Sequence, residues 1–196
     1  RLKDYKETET SGSIRKEAEY TAGNIPIVSD QKNEVMGAAV FKKGKMVGTI
    51  NGKETEYFQM VTGKYTFSYI TIPDPQDKDS VIVLNIFRRK KPVINTKLVD
   101  GKIKVNVVID LEGNFTSIQS GMNYEDQPET IEQMMEEILE SDILKFLEKT
   151  RDEFDSDICG IGVYVRRKFL TWDKWKQFNW PEQYKNTDFE VDVNLR

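Results

Sequence analysis

At 196 residues the chain is long enough to bury a sizeable core in one large domain. A formal net charge of −4 and a pI near 5.2 exclude a general nucleic-acid binder, which needs a basic surface for phosphates. The absence of histidine removes His–Ser and His–Cys nucleophile pairs, histidine proton shuttles and most zinc sites, and the single cysteine, Cys159, removes any intrachain disulfide.

No apolar run is long enough to span a bilayer. The chain opens at Arg1 in polar sequence, without an initiator Met or a signal peptide. It is therefore expected to be a soluble fragment of a longer protein, with any targeting signal or lipid anchor upstream. Residues 1–33 are polar and thinly apolar, with a short strand expected over Ile14–Tyr20 and a turn at Asn24-Ile25-Pro26. They read as the tail of a preceding domain and a linker, and residues 34–196 as the domain proper.

Glu34 to Ile50 reads as a hairpin. Val35 to Phe41 is small and apolar, hence a buried strand; Lys42-Lys43-Gly44-Lys45 turns, and Met46 to Ile50 returns. Asn51-Gly52 ends it. Lys53 to Val61 fits a short helix with Phe58 and Val61 inward, stopped by Gly63. A strand-rich block follows over Lys64–Ile72, Ser80–Arg89, Val93–Val99 and Lys102–Asp110, with Asn114–Gln119 continuing the last. Pro73-Asp74-Pro75 and Asp100-Gly101 punctuate it, and Asp100-Gly101 between two strand patterns is the strongest hairpin signal in the chain. Val105, Val107 and Ile109 alternate with Lys104, Asn106, Val108 and Asp110, which gives this strand one drier face.

Asp126-Gln127-Pro128 before Glu129 marks a helix start, with Glu129, Glu132, Glu136 and Glu137 near the positive end of the helix dipole. Apolar residues then recur at helical spacing from Ile131 through Ile143 and Leu147 to Phe154, Ile158, Ile161 and Val165, with a polar interruption at Thr150 and Arg151. Asp155-Ser156-Asp157 allows a break and a new N-cap. The phase favours an unbroken or gently kinked helix, which puts these acids on a wet face and Cys159 beside the apolar one as a buried thiol. Gly160 and Gly162 weaken a helix, and close approach of another backbone would compensate. A Trp-rich turn, Trp172 to Pro181, precedes a clean alternating strand from Phe189 to Leu195, expected to join the sheet. The plan is α+β: a mixed, largely antiparallel sheet packed against a long C-terminal helix, with a closing C-terminal strand.

Two basic runs stand out, Arg88-Arg89-Lys90-Lys91 and Arg166-Arg167-Lys168. A solvated strand end and complementarity to a helix dipole account for them, and attraction to anionic lipid headgroups or to an acidic partner is the functional alternative. Trp172, Trp175 and Trp180 read foremost as packing aromatics. Asp152, Glu153, Asp155 and Asp157 lack the glycine and terminal glutamate of a calcium loop, so no metal site is expected.

The segments Gly37–Lys43, Lys45–Gly48 and Glu54-Thr55, then Ser156-Asp157-Ile158-Cys159-Gly160-Ile161-Gly162, Arg166-Arg167-Lys168, Trp172, Trp180 and the final strand resemble, in order and spacing, the C-terminal domain of the spore germination Ger(x)C (GerAC-like) lipoproteins. Pro181 directly after Trp180 departs from that family's ending, and Tyr184 stands where an aromatic closes it. The resemblance implies the C subunit of a nutrient germinant receptor, lipid-anchored (palmitate on an upstream Cys) on the outer face of the spore inner membrane. It implies integral-membrane A and B subunits as partners, no nucleic acid, no cofactor and no enzymatic activity. Arg88, Arg89, Lys90, Lys91, Arg166, Arg167, Lys168, Trp172, Trp175 and Trp180 are the expected partner or headgroup contacts. Direct binding of an amino-acid or sugar germinant is the alternative function, and a hydrolase with two strand-end carboxylates across a cleft is a third.

Overall fold

The computed structural model describes residues 20–22 (backbone only), 37–99, 101–124, 126 and 128–196. The strand expected over residues 14–20 lies mostly outside these, as do the turn at residues 24–26 and Val35 and Met36. A three-residue strand, β1 (Tyr20–Ala22), is present, and it pairs antiparallel with β2 (Ala38–Lys42). Residues 20–22 thus pair with the first strand of the expected hairpin.

β2 and β3 (Lys45–Ile50) form the expected hairpin. Lys43 and Gly44 both take positive φ, +48° and +77°, the backbone that a two-residue turn needs to match the strand twist. Helix α1 (Gly52–Thr62) is bounded by side chains that satisfy its ends. Asn51 accepts from Glu54 N at 2.9 Å, Glu54 reaches back to Asn51 N at 2.8 Å, and Gly63 closes the helix at φ +70°. Phe58 and Val61 point inward as the periodicity requires.

The larger sheet is built on β7 (Lys102–Ile118), a single 17-residue strand. β5 (Val81–Arg88) runs antiparallel along residues 111–118 of β7, and β6 (Val93–Val99) along residues 102–108. Val99 pairs with Lys102, so Asp100-Gly101 is the two-residue turn; Gly101 has φ +80°, and Asp100 is outside the described residues. β4 (Phe67–Pro73) pairs antiparallel with β5. β8 (Asp188–Asn194) lies parallel to residues 104–110 of β7, so β6 and β8 flank the same stretch on opposite edges.

Parallel neighbours need a crossover, and α2 (Glu129–Asp152) supplies it. Its buried residues Ile131, Met135, Leu139, Ile143, Phe146 and Leu147 pack on the dry sheet face of Ile82, Leu84, Ile86, Val105, Val107 and Ile109. Burying one such aliphatic side chain is worth about 1.5–3 kcal/mol, so this interface dominates the core. Thr150, read from sequence as a polar interruption, is instead fully buried: its Oγ1 donates to Leu147 O at 2.7 Å and meets Tyr184 OH at 2.6 Å. The outer edge of β8 is held by the same helix, since Val193 N donates to Glu140 Oε1 at 2.9 Å and Leu195 N to Glu136 Oε1 at 2.8 Å. One turn of helix matches two residues of strand, so glutamates four apart meet alternate N–H groups.

The expectation of an unbroken helix to Val165 is corrected. α2 stops at Asp152, Asp155 takes φ +47°, and a separate short helix, α3 (Gly162–Arg166), begins after Gly160 at φ +72°. The apolar phase survives the break because Phe154, Ile158, Ile161 and Val165 remain buried in the core, but by a compact turn rather than a continuous helix. Phe154 shows why: its ring lies over β3, where a Cβ on Gly48 would come within 2.3 Å of Phe154 Cε1. Two more helical turns, α4 (Trp172–Phe178) and α5 (Trp180–Gln183), and a 3-10 turn (Tyr184–Asn186) replace the expected Trp-rich turn and lead into β8. Pro181 sits in the first turn of α5, where it costs nothing. The α+β architecture is as expected, with β8 in parallel pairing.

Replacing Glu136 and Glu140 together by Ala leaves two strand N–H groups without their charged acceptors. The double variant is expected to lose about 2–4 kcal/mol of unfolding free energy, read from urea denaturation, with Val193 and Leu195 amides exchanging faster. Gly48→Val, which drives a side chain into Phe154, is expected to cost about 1–3 kcal/mol in the same assay.

Candidate functional site

The segment after α2 is tied together by one carboxylate. Asp157 Oδ1 accepts from Ile161 N at 2.8 Å; its Oδ2 accepts from Gly162 N at 2.6 Å and from Trp180 Nε1 at 2.9 Å. Burial pushes the Asp157 pKa upward, against the pull of these donors. Asp157 is therefore a structural hub and not part of a wet helix face. Gly162 is required by the same contact, since a Cβ there would lie 2.5 Å from Trp180 Nε1; the close approach expected of the two glycines is made by a Trp ring at Gly162, while Gly160 serves the turn through its φ. Asp155 pairs with Lys42 at 2.7 Å, Asp152 with Arg151 at 2.6 Å, and Ser156 is fully buried. Cys159 lies in the turn between Asp157 and Gly160 and not on a helix; it is a buried free thiol, its pKa pushed up by burial and then by Asp157.

The tryptophans divide. Trp180 is buried and meets Tyr184 edge-on, with ring centroids 5.4 Å apart, which removes it from a contact role. Trp175 is half-buried, stacked between Phe178 and Trp180 and tilted against Phe169. Trp172 remains at the surface, with Arg166 Cζ 4.9 Å and Lys176 Nζ 5.8 Å from its ring centroid.

The basic runs divide too. Arg88 is half-buried and its Nη1 donates to Gly63 O, so it fastens β5 to the end of α1. Arg89, Lys90 and Lys91 are exposed, with Lys90 3.8 Å from Asp110. Arg167 and Lys168 line a groove of about 780 Å³ together with Lys97, Lys104, Asn95 and Glu190, and residues 88–91 do not line it. Four cations face one carboxylate there, in a chain whose net charge is negative. Lys97 and Lys104 come from opposite strands of the Asp100-Gly101 hairpin, in direct register. Nothing in the linear sequence joins them to Arg167.

A second groove, of about 430 Å³, lies between α1 and α2 and is lined by Glu54, Tyr57, Asp142, Lys149 and Glu153. Its acids come from helices and not strand ends. Glu54 is engaged by Asn51 N and, at 2.7 Å, by Lys149, and Asp142 accepts from Tyr57 OH at 2.9 Å. Burial, then that hydrogen bond, raises the Tyr57 pKa. The strand-end carboxylate pair of a hydrolase is not found in either groove.

Sequence reasoning passed over the outer face of β4 and β5. Phe67 and Tyr69 are exposed at 55% and 60%, edge-on to each other, and Phe67 pairs across the sheet with Phe87. The signal was available, because Phe67 and Tyr69 alternate with Ser68 and Ile70, but the dry face of this strand is the other one.

The model for the C-terminal domain described as "Spore germination B3/GerAC like, C-terminal" matches residues 36–196. The chain belongs to this family. Among curated proteins it is similar to spore germination protein YndF of Bacillus subtilis (strain 168), 22% identical over 190 residues, covering 94% of this chain and 46% of that protein. Among solved structures, the crystal structure of the GerBC protein matches with a TM-score of 0.74 at 22% identity, over 92% of this chain and 56% of that one, which shows the fold. The chain thus spans about half the length of these relatives. No helix among the described residues of this GerAC-like domain is long and apolar enough to cross a membrane.

Asp157→Ala strands three N–H donors and is expected to cost about 3 kcal/mol, with a red shift of Trp fluorescence as Trp180 loosens. Asp74, buried beside the β4–β5 turn, accepts from Ser120 Oγ at 2.6 Å, from Tyr124 OH, and from Gln76 N at 2.8 Å. Burial alone would raise its pKa; these donors outweigh burial and hold it below the ordinary 3.8. Its contribution to stability is therefore complete above that value and lost as pH falls through the lower folded one. Asp74→Asn should lower the urea midpoint at neutral pH, with the gap to wild type closing in acid.

Proposed function

We propose that this chain is the C-terminal domain of the C subunit of a nutrient germinant receptor, a non-enzymatic part that acts by protein–protein contact at the spore inner membrane. The family match over residues 36–196 carries this reading. The chemistry agrees with it: histidine is absent, the one thiol is buried, and the acids of the second groove are engaged in structural bonds. The full-length protein would hold a lipid anchor on the outer face of that membrane, and integral-membrane A and B subunits would be its partners.

Two surfaces suit such contacts. One is the exposed aromatic face of Phe67 and Tyr69, whose burial by a partner would remove apolar area from water. The other is the exposed run of Arg89, Lys90 and Lys91, left over once Arg88 is committed to Gly63. The aromatic face is the stronger because apolar contacts survive salt and surface charges are screened. In spores whose only copy of the receptor subunit carries Phe67→Glu and Tyr69→Glu, nutrient-triggered germination should fall at least tenfold at normal protein level. Unchanged germination removes this face from the proposal.

The groove of Lys97, Lys104, Arg167 and Lys168 favours a second reading, direct contact with a germinant that carries a carboxylate. Calorimetric titration of the chain with amino acids and sugars decides it, and silence at millimolar ligand ends it.

A further inference from the structure

The most exposed large apolar side chain among the described residues is Leu170, at 95%. It projects from the loop between α3 and α4, two residues after Lys168 of the Arg166-Arg167-Lys168 run and two residues before Trp172. The loop is not a loose end. Phe169, next to Leu170, is half-buried, with its ring 4.8 Å from Phe178 and 5.5 Å from Trp175 between centroids. Thr171 Oγ1 caps α4 by accepting from Lys174 N. Leu170 is thus held outward by a braced base and is not collapsed onto the protein.

The cations around it are arranged to match. Arg166 and Lys176 both lie over the ring of the exposed Trp172. Arg167 and Lys168 line the groove shared with Lys97, Lys104 and Val99, which brings the tip of the β6–β7 hairpin beside the loop. That tip exposes Leu98 and Val99, at 53% and 40%. Two projecting tips carry aliphatic side chains, and cations lie between and behind them.

We propose that this end of the domain docks directly on an anionic membrane surface, with Leu170 and Trp172 entering the headgroup–acyl boundary and the Arg166–Lys168 run and the groove lysines meeting lipid phosphates. Three physical points favour a bilayer over an acidic protein. A convex aliphatic tip has no pocket to fill on a flat charged partner, whereas the acyl boundary accepts it anywhere. An indole ring flanked by cations is suited to the interface, apolar on one side and wet on the other. Cations spread over two tips and a groove match a surface of many equivalent headgroups, each contact adding to the attraction. The inference rests on exposure and charge alone and does not depend on the receptor reading.

Flotation of the 196-residue chain with vesicles tests it. Phosphatidylcholine vesicles containing phosphatidylglycerol should carry the protein to the top of a gradient, phosphatidylcholine alone should not, and added salt should weaken capture. Leu170→Asp and the triple variant Arg166→Glu, Arg167→Glu, Lys168→Glu should each reduce capture by roughly tenfold or more. All four positions are exposed, so folding should be retained, checked by circular dichroism. Trp fluorescence should shift blue on anionic vesicles, and the shift should vanish in Trp172→Phe. The proposal is overturned if the wild-type chain ignores anionic vesicles, if it binds both lipid mixtures equally, or if Leu170→Asp floats as the wild type does.

Discussion

The parallel pairing of β8 with β7 is the constraint on which the rest of the domain depends. Parallel strands cannot be joined by a tight turn, so the chain must leave the end of β7, cross the sheet and return. The 24-residue helix α2 makes that crossing and covers the dry face on the way. It also completes the strand it delivers, because Glu136 and Glu140 accept the N–H groups on the edge of β8 that β7 does not reach. An open strand edge is a hazard in water, and here the crossover helix closes it with two carboxylates.

Everything between α2 and β8 is then a problem of returning the chain over a short distance without a gap. Asp157 solves it by gathering the start of α3 and the indole of Trp180 on one carboxylate. The aromatic series from Trp180 through Tyr184 to Phe189 carries that anchor into the sheet, in edge-on contacts of 5.4 Å and 6.0 Å. Thr150 and Arg151 pin the same path from the helix side, through Tyr184 OH and Thr187 O. With the inner aromatics so engaged, Phe169, Leu170 and Trp172 are left on a braced outer loop, and the adjoining Arg166, Arg167 and Lys168 are exposed and form no ion pair among the described residues.

Much of this was legible from residues alone. Hairpins at Lys43-Gly44 and Asp100-Gly101 follow from turn chemistry, and α1 from the inward spacing of Phe58 and Val61 and the stop at Gly63, because these signals act within a few residues. The dry face of β7 follows from simple alternation. The long apolar period after Glu129 was read correctly as core and wrongly as one continuous helix. Spacing records which residues are buried, and a turn that keeps Phe154, Ile158 and Ile161 buried leaves the same record as a helix. The site was less legible than the fold. Arg88 looks like its neighbours in the sequence, yet its guanidinium is committed to Gly63 O.

The sequence by itself determined the α+β class, the element order, most turns, the absence of histidine chemistry and the pattern of family residues. Those depend on local backbone preference and composition. Only the tertiary structure decided that the closing strand is parallel, that Asp157 is a half-buried hub, that Trp180 is internal and Trp172 external, and that Lys97 and Lys104 meet Arg167 and Lys168 in one groove. Each of those rests on contacts between residues far apart in the chain, whose partners are chosen by packing and not by their neighbours in sequence.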